Sequence, residues 1–515
     1  MSNLSKASET KKNGLFNKFL NVVEVVGNKL PHPAIIFLLL AFIVIVISEI
    51  AVRRDLAVNF YDAKAQAEKT VAAVSLFNAE GLRFMFNTAT GNFTGFSPLG
   101  TVLVAMLGVG VAEGTGMINA ALKKLVLSTP KRLITAVLVF AGVMSNIASD
   151  AGYIVLVPLG AIVFLGFKRH PLAGMAAAFA GVSGGFSANL LLGTLDPLLT
   201  GITNEAMKAG GMDLTILPTS NYYFMFVSTF LITILGTIVT EKIVEPRLGE
   251  YKGVHEEDNS MEVTDRERKG LVAAGFSVLA FIGIMLFLMI PENAVLRVDG
   301  ELKTFIHDGL VPTIMFFFLV PGLVYGIVVG AIKNDKDVIS CMSKAMGGMG
   351  GYLVLCFFAA QFINYFSYTN LGIILAVSGA NFLEAIGFTG LPLVISFIIV
   401  AGFINLFIGS ASAKWGIMAP IFIPMMYQLG FTPEFTQLAY RIGDSCTNII
   451  TPLMSYFALI VVFAQKYDKD TGIGTLISTM LPYSIVFLAG WTVLLIGWYL
   501  TGAPIGPDAF IHIPM

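Results

Sequence analysis

Five charged side chains lie where charge is costly. Asp150, Asp196, Lys414, Arg441 and Asp444 all fall inside long apolar stretches of the 515-residue chain. An ionisable group at membrane depth costs about 2.5–3.5 kcal/mol on insertion scales, so each needs a partner or a task. Arg441 and Asp444 are three residues apart, which puts them on one helix face with Asn448 a turn further on. They can neutralise each other as an internal ion pair. Alternatively, Asp444 and Asn448 are oxygen ligands for a cation, or a proton carrier, while Arg441 grips a substrate carboxylate with its two-pronged guanidinium. Asp196 precedes Pro197, and Asn189 lies two helical turns before it. A proline inside a helix frees the carbonyl four residues back. Freed carbonyls, Asp196 and Asn189 together suit a hard cation; a solvated kink capped by an aspartate is the plainer alternative.

The serines carry a second kind of chemistry. Ser149 and Asp150 in one segment, Ser410 and Ser412 in another, are placed to cap helix N-termini. Such a terminus carries partial positive charge and favours an anion. Asp150 cancels that field, whereas Ser412 beside Lys414 preserves it. The second segment therefore suits an anionic substrate and the first a cation. Asn146 and Asn405 precede the two turns and offer carbonyl oxygens, or simply break helices. Trp415 can stack on an aromatic ligand or serve as packing.

The elements that position these residues follow from composition. The chain is 56% hydrophobic and 13% charged, against about 25% charged in soluble domains. That excludes a soluble domain and a disordered chain. The solid apolar runs exclude a β-barrel, leaving an all-α polytopic membrane protein embedded in a lipid bilayer. The run 133–167 is too long for one span: 35 residues would measure about 52 Å against a hydrocarbon core of about 30 Å. Lys131 and Arg132 precede it, and Lys168 and Arg169 follow it. Both ends belong on the cytoplasmic side, so the segment enters and returns as a re-entrant hairpin with its tip at 145–152. The run 391–430, with its tip at Gly409–Lys414, reads as a second hairpin entering from the opposite face.

Nine full spans remain. With the N-terminus inside, 22 of the 32 Lys and Arg residues fall on the cytoplasmic side and 8 outside. Residues 149–158 align without gaps on 411–420, and each hairpin precedes a span broken at a proline, Pro197 or Pro452. The expected architecture is an inverted repeat. A cytoplasmic segment covers 1–32 and the first repeat 33–241. A connector follows at 242–308, then the second repeat at 309–501 and an external tail at 502–515. Inverted repeats with discontinuous helices place a substrate at the repeat interface near mid-membrane.

Other functions find little support. No Walker A motif is present, the net charge of −1 offers no pull toward nucleic acid, and Cys341, Cys356 and Cys446 have no metal-binding spacing. An intramembrane aspartyl protease would need Asp196 and Asp444 to share a proton, and a neighbouring arginine works against that. No enzyme activity and no cofactor are expected, only a coupling ion.

Segments Ser145–Pro158, Asn189–Pro197, Ser410–Pro420 and Arg441–Pro452 resemble the AbgT family of bacterial p-aminobenzoyl-glutamate transporters. The most specific parts are Ser412-Ala413-Lys414-Trp415 and Arg441-Ile442-Gly443-Asp444-Ser445. The resemblance implies a homodimer in the bacterial inner membrane with nine spans and two hairpins per protomer. It implies uptake of p-aminobenzoyl-glutamate or export of sulfonamide antimetabolites, coupled to Na+ or H+. A sodium-coupled dicarboxylate symporter is the alternative within the wider superfamily. By the family's motifs, functional roles fall on Asp196, Ser412, Trp415, Arg441 and Asp444, on the prolines Pro433 and Pro452, and on Asn405 with Asp444 for sodium.

Overall fold

The computed structural model describes residues 31, 33–62, 67–148, 152–251, 253, 263–298, 300, 302, 305, 309–454 and 456–513. Ser149 and Asp150 therefore lie outside the described residues. Helix dominates. Among the described residues, seven helices are long and apolar enough to cross a bilayer. The two further spans expected to be broken, at Pro197 and Pro452, are each interrupted.

The first half contains α1 (Pro33–Arg53), a β-hairpin of β1 (Ala57–Asp62) and β2 (Ala67–Ala72), α2 (Ala79–Thr94), α3 (Ser97–Gly114) and α4 (Met117–Leu127). The hairpin halves α5 (Ile134–Ser145) and α6 (Val157–Gly166) follow. The interrupted pair α7 (Pro171–Phe179) and α8 (Leu195–Ala209) precedes α9 (Tyr222–Val239). The connector α10 (Asp265–Met289) packs on α11 and is otherwise almost wholly exposed along its apolar length, as a lipid-facing helix should be. The second half repeats the order: α11 (Leu310–Val329), α12 (Asp335–Gly348), α13 (Gly350–Tyr368), α14 (Leu371–Ala385), hairpin halves α15 (Gly390–Asn405) and α16 (Ala411–Gln428), interrupted pair α17 (Pro433–Asn448) and α18 (Phe457–Gln465), and α19 (Ile473–Thr501). The halves clasp reciprocally: α1 and α2 pack on α13, while α11 and α12 pack on α3.

Both hairpins fold back. Arg169 Nη1, after α6, donates to Thr135 Oγ1 at the start of α5 at 2.8 Å. Phe397 and Phe422 from the two halves of the second hairpin lie 4.8 Å apart, centroid to centroid. Twenty-five residues of straight helix would separate them by about 37 Å. Glycines make the close approaches. Gly142 of α5 meets Gly181, and Gly402 of α15 meets Gly443 of α17. Each hairpin thus touches its following interrupted span backbone to backbone.

Three expectations change. Residues 346–386, counted by their apolar composition as one of the nine spans, hold two helices, α13 and α14, divided at Asn370, which adopts φ 58°; apolar composition carries no mark of such a turn. Residues 53–98, read as an external loop between the first two spans, hold the β-hairpin and α2. Pro433 opens α17 behind the Thr432 N-cap and interrupts nothing, because a first-turn residue has no intrahelical N–H bond to lose.

Close helix contact makes a testable demand. A Cβ on Gly174 would come within 2.1 Å of the Gly160 carbonyl oxygen. Gly174→Leu must therefore push α6 off α7, with an expected cost of about 1–3 kcal/mol or more. Thermal unfolding of the purified protein should show the loss, whereas Gly497→Leu, at a glycine with open space around it, should unfold like wild type.

Candidate functional site

The site is built around α17. Every residue of this helix from Phe435 to Asn448 is buried, although its sequence is polar along one side. A buried polar helix must find partners on neighbouring elements. Thr436, Gln437, Tyr440, Arg441, Asp444, Thr447 and Asn448 supply the polar groups.

Both buried charges of α17 are satisfied from other elements. Arg441 Nη2 pairs with Asp196 Oδ1 of α8 at 2.8 Å, with side chains 2% and 3% exposed. Asp444 Oδ1 pairs with Lys414 Nζ of α16 at 2.5 Å, with side chains 2% and 0% exposed. The internal Arg441–Asp444 pair is thus not formed. Arg441 instead ties the second half to the first, and its Nε has no hydrogen-bond partner. The Lys414 ammonium also lies over the Tyr440 ring, 5.4 Å from its centroid.

Asp196 sits in the first turn of α8, where its Oδ2 accepts from the Gly193 N–H at 2.8 Å. Pro197 follows within that turn. It opens the second half of the interrupted span, so it does not strip a carbonyl partner from inside a helix. The chain between Gly185 and Thr194 is irregular, and Asn189 lies in it. Asn189 therefore shares no helix face with Asp196. It approaches Asn146 instead: both amides point Nδ2 at the Val143 carbonyl, at 3.5 and 3.2 Å. Asn146 also donates to Gly185 O, and its Oδ1 is buried without a partner.

Asn405 ends α15 and donates to Asp444 O, Thr447 Oγ1 and Asn448 Oδ1 at 2.7–2.9 Å. Asn448 Nδ2 faces Asp444 Oδ2 at 3.4 Å. Asn405 Oδ1 is buried and unpartnered. Asn405, Asp444 and Asn448 thus converge as the sequence suggests. An orphaned amide oxygen on a residue bonded to Asp444 and Asn448, together with the Asp444 carboxylate, is an oxygen donor set that suits a hard cation. No cluster of three His, Cys, Asp or Glu side chains occurs among the described residues.

Trp415 is fully buried. It stacks on Tyr440 at 4.4 Å and donates Nε1 to Thr203 Oγ1 at 2.9 Å. Thr203 donates to Gln437, and Gln437 to Asn221. In this structure Trp415 packs inside the protein and anchors the second hairpin to α8, outside the cavity lining. Tyr440, Thr203, Gln437 and Asn221 are members of this network that sequence reasoning missed. The signal was available for two of them, since Gln437, Tyr440, Arg441 and Asp444 recur at helical spacing.

A cavity of about 700 Å³ lies between the two hairpins and α1 and α13, within the usual range of ligand sites. Ser410, Ser412 and Asn448 line it from the second half, Tyr153, Phe186 and Leu198 from the first. Ser410 caps α16 by accepting from Ala413 N. Tyr153 and Tyr456, also on the wall, stack on each other at 4.8 Å.

A polytopic helical protein with two inward-folded hairpins, interrupted helices and an internal cavity walled by both halves is a membrane transporter. Comparison with known proteins defines the type. A sequence model of the AbgT transporter family matches residues 18–513. The p-aminobenzoyl-glutamate transport protein of Escherichia coli (strain K12) is 37% identical over 515 residues, covering 99% of both chains. The solved YdaH transporter of Alcanivorax borkumensis shares 44% identity with a TM-score of 0.87, covering 93% of this chain and all of that one. The solved MtrF of Neisseria gonorrhoeae, described as illuminating a class of antimetabolite efflux pumps, shares 46% with a TM-score of 0.89, covering 95% of this chain and all of that one. The chain belongs to the AbgT family. It is a multi-pass transporter of the bacterial inner membrane and not an enzyme.

The bridge between the halves can be tested by a double-mutant cycle. Arg441→Met and Asp196→Asn each strand the partner's buried charge and should each destabilise the protein by about 3–5 kcal/mol. The double variant should lose less than the sum of the two. Additive losses in thermal unfolding would show that the pair is not energetically coupled.

Proposed function

We propose that this chain is an ion-coupled secondary transporter that carries p-aminobenzoyl-glutamate across the inner membrane by alternating access. One observation carries the reading: the cavity between the hairpins ends on the serine-capped N-terminus of α16, with the buried Lys414–Asp444 pair behind that wall. A serine-capped N-terminus presents N–H groups to a carboxylate, and Ser410 and Ser412 stand at that point. Tyr352 and Tyr456 on the wall offer faces for an aminobenzoyl ring, a role transferred here from Trp415. The 37% identity to the Escherichia coli protein favours this substrate over a simple dicarboxylate. The description of the Neisseria relative as representing a class of antimetabolite efflux pumps adds antimetabolites as exported substrates.

Asn405 and Asp444, with Asn448, would hold the coupling cation of the second half, and Asn146 and Asn189 a counterpart in the first. Orphaned oxygens on Asn405 and Asn146 support both placements. The cavity reaches the ends of α1 and α13, at Pro33 and Tyr352. The basic-residue count puts these ends on the cytoplasmic side, so the state described is open inward. A homodimer, in keeping with the family resemblance, completes the assembly.

Radiolabelled p-aminobenzoyl-glutamate should accumulate in proteoliposomes when a sodium or a proton gradient is imposed separately, and succinate should not compete. Flux indifferent to both gradients would remove the coupling. Ser412→Asp places a carboxylate at the α16 N-terminus. It should abolish uptake, with normal expression and an unchanged elution profile.

A further inference from the structure

The transporter reading leaves one difficulty. Among the described residues, none that lines the cavity is charged, so an anionic substrate entering it meets no free positive charge from them. The two buried basic groups nearest its wall are already committed, Arg441 to Asp196 and Lys414 to Asp444. The Lys414–Asp444 pair is placed directly behind that wall. Lys414 lies two residues beyond Ser412 in the first turns of α16, and Asp444 contacts Asn448. Both Ser412 and Asn448 face the cavity. Asn405, whose amide is bonded to Asn448 and to the Asp444 backbone, keeps a buried oxygen with nothing to accept from.

We propose that Lys414 is a tethered cation that sodium displaces from Asp444, so that binding the ion creates the anion site. In the state described, the ammonium neutralises Asp444 and the pair is electrically silent. A sodium ion taken up by Asp444 and the Asn405 oxygen replaces it. The ammonium keeps its charge throughout and turns to the α16 N-terminus, beside Ser412. Sodium alone leaves one uncompensated positive charge in a buried region, which is strongly unfavourable. A substrate carboxylate alone meets no counter-charge. Sodium together with one of the two carboxylates of p-aminobenzoyl-glutamate restores neutrality at the buried site, and the second carboxylate stays in the cavity. Coupling thus follows from charge balance, and because linkage is reciprocal, each partner must tighten the other by the same factor. The inference rests on the ion-coupled reading above and assigns Lys414 a role in substrate binding that a packing lysine would not have.

The test uses the full-length protein in nanodiscs, with sodium chloride exchanged against N-methyl-D-glucamine chloride. Equilibrium binding of labelled p-aminobenzoyl-glutamate and the sodium-dependent shift in melting temperature are both measured. In wild type, sodium should tighten substrate binding about tenfold, and substrate should lower the sodium midpoint by the same factor. In Lys414→Met, sodium loses its competitor, so its midpoint should fall about tenfold or more. Sodium should then restore the melting temperature of this variant but not its substrate affinity. If Lys414 only balances Asp444, bound sodium would replace it fully and wild-type affinity would return; that result overturns the proposal. An unchanged sodium midpoint overturns it too, and needs no substrate at all. Should Lys414→Met fail to fold, the double variant Lys414→Met/Asp444→Asn strands no charge and must bind substrate weakly and without regard to sodium. Sodium-dependent, wild-type affinity in the double variant would equally sink the idea. Wild-type substrate binding that ignores sodium would instead refute the sodium coupling on which the inference stands.

Discussion

Charge neutrality at depth is the constraint on which the rest of this structure depends. Asp196, Lys414, Arg441 and Asp444 are all nearly inaccessible to solvent. A single unpaired member would cost several kcal/mol in such surroundings. The fold therefore brings three separate helices together so that two acids meet two bases. Arg441–Asp196 is the more consequential pair, because it joins α17 of the second half to α8 of the first. The hydrogen-bond chain from Trp415 through Thr203 and Gln437 to Asn221 runs alongside it and binds the same two halves.

Interrupted helices make that meeting possible. An unbroken helix satisfies its own backbone and offers only side chains to its neighbours. Breaks at Gly185–Thr194 and at Ile449–Tyr456 expose backbone groups and helix ends inside the protein, where irregular backbone is tolerated because protein or water surrounds it. Asp196, in the first turn at one such end, accepts from the Gly193 N–H before it, and Ser410 caps the hairpin end opposite. Glycine contacts at Gly142–Gly181 and Gly402–Gly443 draw each hairpin against its interrupted partner. The cavity is the space left where the two sets of ends do not touch. Its wall is apolar and hydroxylic, with the charges one layer behind, so ion and substrate chemistry share the same few side chains.

Much of this was legible from residue order alone. Composition fixed the membrane class. Run length against bilayer thickness, with basic residues at both ends of 133–167, required that segment to turn back, and Thr135 and Arg169 do meet. The depth of the charged residues marked α8, α16 and α17 as the functional elements. Asp444 and Asn448 face each other because a helix places residues four apart side by side, while Asn405 reaches them from another helix, α15.

Tertiary packing decided the partners. Helical periodicity reports only neighbours within a turn or two. It therefore pointed to Arg441 with Asp444, whereas each found its counter-charge on another element: Asp196 is 245 residues from Arg441, and Lys414 is 30 from Asp444. The same limit misplaced Asn189, whose supposed helix is irregular at that point, and left open whether Trp415 faced a ligand or a neighbour. Sequence determined which side chains had to be neutralised and at what depth, because burial cost belongs to residue type and local hydrophobicity. Only the folded arrangement determined how, because ion pairing depends on distances between chain segments that no local pattern encodes.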